Sequence, residues 1–232
     1  MRSEKTAVLA VAMLMSVASL VMATPSTTYW TPAVSDVQGF GVWHIGVDNY
    51  FTVDRKADSG QAGAFPTDLG ITVGVLPFEK VVMEVGIDAL YPSDNPYYFN
   101  AKIGTPENAL FGGSPALNLG VFNVGTAKDA TDYNIFHAMV GKTLPCGLGR
   151  LHAGAYTGNR KLMVSSDGEE EASGFMVGYD RYIIKDKVLF AADYASGDNV
   201  LGGGGLGLYY FFTKDVSLLF GTVWFNDKGI NG

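Results

Sequence analysis

The chain is patterned almost throughout with a period of two. From Val188 to Phe225 it reads VLFAADYA, SGDNVLGGGG, LGLYYFF, TKDV and SLLFGTVWF. In the first run Val188, Phe190, Ala192 and Tyr194 alternate with Leu189, Ala191, Asp193 and Ala195. Such alternation puts one set of side chains on each face of a β-strand. The next apolar run gathers Leu206, Leu208, Tyr210 and Phe212, and the last gathers Val216, Leu218, Phe220 and Trp224. No helix separates these three strands. A Gly-rich, acidic loop joins the first pair and the tight Thr213-Lys214-Asp215 turn joins the second.

The earlier chain repeats the pattern. A strand begins near Phe40, with Trp43, Ile45 and Val47 on one face and His44, Gly46 and Asp48 on the other, and the polar loop DRKADSGQAGAFP follows. Leu69, Ile71, Val73 and Val75 share a face; Val81, Met83, Val85 and Ile87 then oppose Val82, Glu84, Gly86 and Asp88. YYFNAKIG, ALNLGVFNVG, YNIFHAMVGK, RLHAGAYT and GFMVGYDRY complete a series of eleven strands. Connections after the odd-numbered strands are polar and mostly long, with residues 158–172 the most acidic. Those after the second, sixth, eighth and tenth are tight. The fourth, TPENALFGGSP, breaks the rhythm, and Thr105 before Pro106 and Glu107 predicts a single helical turn there.

The N-terminus bears on where such a chain works. After Arg2 and Lys5, residues Ala7 to Met22 carry no charge, a run of 16 that is short for a spanning helix but fits a signal-peptide core. Val21-Met22-Ala23 supplies the small residues read by a signal peptidase. Residues 1–23 are therefore expected to be a cleaved signal peptide, 24–38 an aperiodic periplasmic lead-in, and 39–232 the β domain. Cleavage removes two of the 16 basic and one of the 23 acidic side chains, moving the net charge from −7 to −8. That balance argues against nucleic acid as a partner. A single cysteine, Cys146, excludes an intramolecular disulfide and multi-cysteine metal sites.

With a signal peptide, strands of membrane-crossing length and alternating long and short connections, the chain resembles bacterial outer-membrane β-barrels of the porin-like type. The resemblance implies an all-β, antiparallel up-and-down transmembrane barrel in the outer membrane of a Gram-negative cell, with outer-membrane lipid around it. Long loops would be extracellular and short turns periplasmic, which puts the N-terminus in the periplasm. Eleven strands are visible, and even strand numbers are the rule for such barrels. A twelfth strand is thus expected in the full-length protein, with the sequence truncated by about ten to fifteen residues.

In such a barrel the lumen would be lined by Glu84, Asp88, Asn100, Lys102, His137, Arg150, His152, Asp180 and Asp193. Trp43, Tyr194, Tyr210 and Trp224 would form the aromatic belt at the lipid interface. His137 and His152 are expected as diagonal neighbours about 7 Å apart, and Asp180 and Asp193 as carboxylates paired on one hairpin. No cofactor, metal or catalytic set is expected. Gly202, Gly204 and Gly207 satisfy GxGxxG, but a strand follows where a phosphate site needs a helix. Gly141-Lys142-Thr143 ends like a phosphate loop, yet Phe136 stands where its first glycine belongs. A lipid hydrolase would need a serine beside a histidine, and no such spacing occurs.

The expected function is a narrow passive channel for small ions or solutes. Glu84, Asp88, Asp180 and Asp193 against Lys102 and Arg150 give it a weak cation preference. The alternative is a non-conducting scaffold that binds a surface partner through loop 158–172.

Overall fold

A computed structural model describes residues 27–52 and 65–231. The expected signal peptide and most of the first polar loop lie outside the described residues. The strands are β1 (Trp43–Asp48), β2 (Thr67–Gly74), β3 (Val82–Tyr91), β4 (Tyr97–Thr105), β5 (Ala116–Gly125) and β6 (Asp132–Thr143). They continue as β7 (Arg150–Thr157), β8 (Ser173–Ile184), β9 (Val188–Ala195), β10 (Gly203–Phe211) and β11 (Ser217–Phe225). All eleven form one antiparallel sheet in chain order, so each strand pairs with its sequence neighbours. The sheet is not closed: β1 pairs with β2, β11 pairs with β10, and the two edge strands do not pair with each other.

Among the described residues, helix is confined to a four-residue turn, Lys228–Asn231, and a 3-10 turn at Pro145–Gly147. The helical turn expected at Thr105–Glu107 is absent. Pro106 instead opens a reverse turn closed by the Ala109 N–H on its carbonyl at 3.2 Å, and Asn108 adopts a φ of 66°. Gly112, Gly113 and Pro115 prevent helical continuation, and Glu107 reaches across to Lys142 Nζ at 2.7 Å.

The two faces differ in polarity, and the uniformly apolar one is the exposed one. One face exposes Trp43, Ile45 and Val47 on β1, Leu117 and Leu119 on β5, Phe136 and Val140 on β6, and Leu218, Phe220 and Trp224 on β11. The other buries Glu84, Lys102, Asn118, His137, His152 and Asp193. The register explains the consistency: with a side-chain period of two and no crossover, every strand keeps its apolar set on the same side.

What the polar face buries itself against is the chain's own N-terminal segment. Residues 27–38 have no regular secondary structure, yet Thr28, Tyr29, Thr31, Ala33, Val34, Ser35 and Gln38 are all buried. A cluster of Ile135, Met139, Tyr156, Met163 and Met176 packs with Ala33, and Tyr29 packs with Ala191 and Tyr209. The sheet thus wraps around a segment that is aperiodic in sequence.

Glycines on the inner face make the room. A Cβ added to Gly207 or Gly221 would lie 2.5 Å from the Tyr29 ring or its hydroxyl, and one at Gly141 would overlap Ser35 Oγ. These positions are small because the segment approaches them, not because the backbone needs a turn.

Candidate functional site: the occupied interior

The segment enters as a bent loop. Thr28 Oγ1 donates to the Ala33 carbonyl at 2.7 Å, closing a reversal whose apex is Trp30 to Pro32. At the apex the N–H groups of Tyr29, Trp30 and Thr31 all donate to Asp193 Oδ2, at 2.6, 2.8 and 2.9 Å. Successive N–H groups aimed at one oxygen form an anion nest, and here β9 supplies the anion. Tyr209 on β10 adds a hydrogen bond from its hydroxyl to the Thr28 carbonyl at 3.1 Å.

The descending limb is held by three other strands. Asn118 Nδ2 on β5 donates to the Val34 carbonyl at 2.8 Å. Arg150 on β7 forms a two-pronged pair with Asp36, at 2.5 and 2.6 Å, the geometry in which guanidinium and carboxylate match best. The Gln38 N–H donates to Glu84 Oε2 at 2.6 Å, while Glu84 Oε1 takes Lys102 Nζ at 3.1 Å. Glu84 and Lys102 face each other directly across β3 and β4. Both are buried, so removing either one would strand the other's charge.

Between these anchors lies a relay of nucleophile type. The Ser35 N–H and Oγ stand 3.1 and 3.0 Å from His152 Nδ1, and His152 Nε2 stands 2.9 Å from Asp180 Oδ2. Because a backbone N–H can only donate, Nδ1 is the acceptor and Nε2 carries the proton toward Asp180. That is the serine–base–acid order of acyl-transfer enzymes. Ser35 and His152 are fully buried, and Ser35 is not in the wall of either cavity described below. The relay pins the segment to β7 and β8.

Two cavities lie beside the segment among the described residues. One of about 190 Å³ lies beside β1 to β6, with Asp48, Asp68, Asp88, Asn100 and His137 in its wall and Trp30, Tyr50 and Phe65 at one side. The other, of about 420 Å³, lies at the short-turn end between Thr27, Val34, Asp36, Arg150, Leu189 and Phe211.

All nine residues predicted to line the lumen lie on the polar face of the sheet, but they do not act as the sequence suggested. His137 and His152 are not diagonal neighbours: His137 is opposite Tyr156, and His152 is opposite Gly141, four residues further along β6. The β6–β7 turn is longer than the diagonal pairing assumes, which slides the register. Asp180 and Asp193 do not form a carboxylate pair either, since Asp180 turns to His152 and Asp193 to the segment apex. Asp88 accepts a hydrogen bond from Asn100, whose other amide atom accepts from the Asn123 N–H at 3.0 Å.

The four belt candidates lie on the apolar face. Trp43 and Tyr210 stand at the short-turn end, while Tyr194 and Trp224 flank Gly204 at the other. Sequence reasoning missed Ser35, Asp36 and the Tyr29–Thr31 amides, which come from a stretch without periodicity. The inward glycines opposite them were the available signal.

No known protein family, curated protein or solved structure matches the chain.

Proposed function

We propose that the chain is an outer-membrane β-barrel protein that passes small cations along a narrow, partly occluded interior. The observation that carries this reading is the uniformly apolar, exposed face of the sheet. In water the apolar face would be an exposed patch far beyond the few hundred Å² typical of soluble monomers. In hydrocarbon the same face is favourable, provided every backbone group is paired. The free edges of β1 and β11 then have to be satisfied, by each other or by a strand between them. Aromatic side chains at both ends of the apolar face suit the two lipid interfaces.

Cation preference follows from which interior charges are left uncompensated. Lys102 is neutralised by Glu84 and Arg150 by Asp36. Asp48, Asp68 and Asp88 line the cavity without a basic partner among the described residues. A net negative wall along a constriction selects cations. Of the carboxylates expected to set the preference, Glu84, Asp180 and Asp193 are engaged by Lys102, His152 and the Tyr29–Thr31 amides, while Asp88 lines the cavity together with Asp48 and Asp68.

The test is single-channel conductance of the full-length, refolded protein in a planar bilayer under a salt gradient. Stable steps with a cation-biased reversal potential, weakened when Asp48, Asp68 and Asp88 become Asn, support the reading. A folded, heat-modifiable protein without conductance sinks it and leaves the scaffold. One observation favours that second reading: Glu84, Arg150, His152 and Asp193 all hold residues 27–38 in the interior. A scaffold would act through loop 158–172, which is anchored by buried Met163 and carries an Arg160–Glu170 ion pair at 3.2 Å. Deleting residues 160–171 should then abolish partner binding while leaving insertion intact.

A further inference from the structure

The smaller interior cavity has the chemistry of a ligand site. We propose that it binds a small organic cation, an alkylammonium group drawn in by the charges of Asp48, Asp68 and Asp88 along the cavity wall, with its hydrocarbon part against Trp30, Tyr50 and Phe65. The proposal rests on the reading of the interior as a cation pathway and names the kind of cation it takes.

The register makes the argument. Asp48 on β1 stands directly opposite Asp68 on β2. Asp88 on β3 stands opposite Gly70, and so lies diagonally from Asp68. Like charges facing each other across strands destabilise a sheet, and three on adjacent strands need a compensating charge. None of the three joins an ion pair among the described residues, and Asp68 Oδ1 is buried without a hydrogen-bond partner.

A second observation, independent of the carboxylates, points into the same space. His137 is only 7% exposed and lines the cavity, yet neither of its ring nitrogens has a hydrogen-bond partner. Buried polar groups are rarely left so. A neutral imidazole offers one donor and one acceptor, which suits a hydroxyl or a second amine at the far end of a short ligand.

The aromatic wall fits the other part of the ligand. The Trp30 ring meets Tyr50 and Phe65 edge-on, with centroids 5.2 and 5.0 Å apart. Aromatic faces attract alkylammonium groups by their quadrupole while also covering the alkyl chain. A bare metal ion fits less well, since no three metal-ligating side chains converge among the described residues.

The test uses the full-length protein refolded in detergent micelles, titrated calorimetrically with n-butylammonium chloride and with n-butanol. The ammonium is expected to bind at least tenfold more tightly than the alcohol and to raise the unfolding temperature. The double variant Asp68→Asn/Asp88→Asn should lose at least tenfold in ammonium affinity, while its ligand-free unfolding temperature stays level or rises because the repulsion is gone. Should that variant not fold, Asp48→Asn, at the exposed end of β1, is expected to cost at least threefold.

Absence of ammonium binding, equal binding of the alcohol, or variants that bind unchanged would each overturn the site. Micelle binding requires no conduction. A protein that binds amine but does not conduct removes the pore alone, and one that conducts without binding amine removes the site alone.

Discussion

Replacing Asp193 with Ala tests what holds the N-terminal segment inside the sheet. Asp193 Oδ2 is the acceptor for three backbone N–H groups at 2.6 to 2.9 Å. Hydrogen bonds to a charged group each contribute about 1.5–3 kcal/mol, and a buried donor left without a partner carries a penalty of similar size. The three share one oxygen and are not additive, so the docking of the apex should weaken by about 3–6 kcal/mol. At 1.4 kcal/mol per factor of ten, that is an acceleration of amide exchange at Tyr29, Trp30 and Thr31 by roughly a hundredfold to ten-thousandfold.

Hydrogen–deuterium exchange read by mass spectrometry on the refolded protein measures this directly. Peptides from β9 and β10 report whether the sheet itself stays intact. Asp193→Asn, which keeps an oxygen but not the charge, should fall between parent and Ala. Exchange at residues 29–31 within a factor of ten of the parent would refute the anchoring role. So would equal loss of protection along β9, which would mean general unfolding rather than release of the apex.

Further substitutions separate the parts of the account. Leu119→Arg lies on the outer face at a position 62% exposed. It should cost about 2–4 kcal/mol in lipid vesicles near the midplane, against no more than about 0.5 kcal/mol for a surface position in water; denaturant titration in vesicles measures it. Glu107 is pushed up by burial, but hydrogen bonds from Lys142 and Thr143 together with the Lys142 charge outweigh this and hold its carboxyl below the usual range. A carboxyl depressed on folding stabilises above its unfolded pKa, and that contribution is lost as pH falls through the folded value. Between pH 7 and pH 3 the parent should therefore lose more stability than Glu107→Gln, as read from urea midpoints. A fluorophosphonate probe should leave Ser35 unlabelled in the folded protein, and stoichiometric labelling would mean that substrate can reach the relay. Gly207→Val should expel the Tyr29 ring and expose Trp30, seen as a red-shifted tryptophan emission.

The strands were legible because the outer face is apolar from end to end, so a period of two survives in nearly every run. The order of strands followed from short connections, and the polar face could be assigned by parity once the apolar one was known. The occupied interior was not legible. Residues 27–38 are shaped by contacts with β3, β5, β7 and β9, which lie 46 to 164 positions away, and such contacts leave no local period. Ser35 and His152 are 117 positions apart, beyond any spacing rule. The separation of His137 from His152 depended on the β6–β7 turn, where Leu144 donates to the Gly149 carbonyl at 2.8 Å and fixes the register. The Asp48–Asp68 opposition was one register step from being readable, since both residues fall on the polar parity of their strands.

The most direct measurement of the central claim, that the apolar face meets lipid while the segment bearing Trp30 is enclosed, uses the chain's three tryptophans. Single-tryptophan versions retaining Trp30, Trp43 or Trp224 would be refolded from urea into vesicles containing lipids brominated along the acyl chains. The account predicts strong quenching of Trp43 and Trp224 and little quenching of Trp30. A chain that folds in water without lipid, or one whose Trp30 is quenched as strongly as the other two, would contradict it.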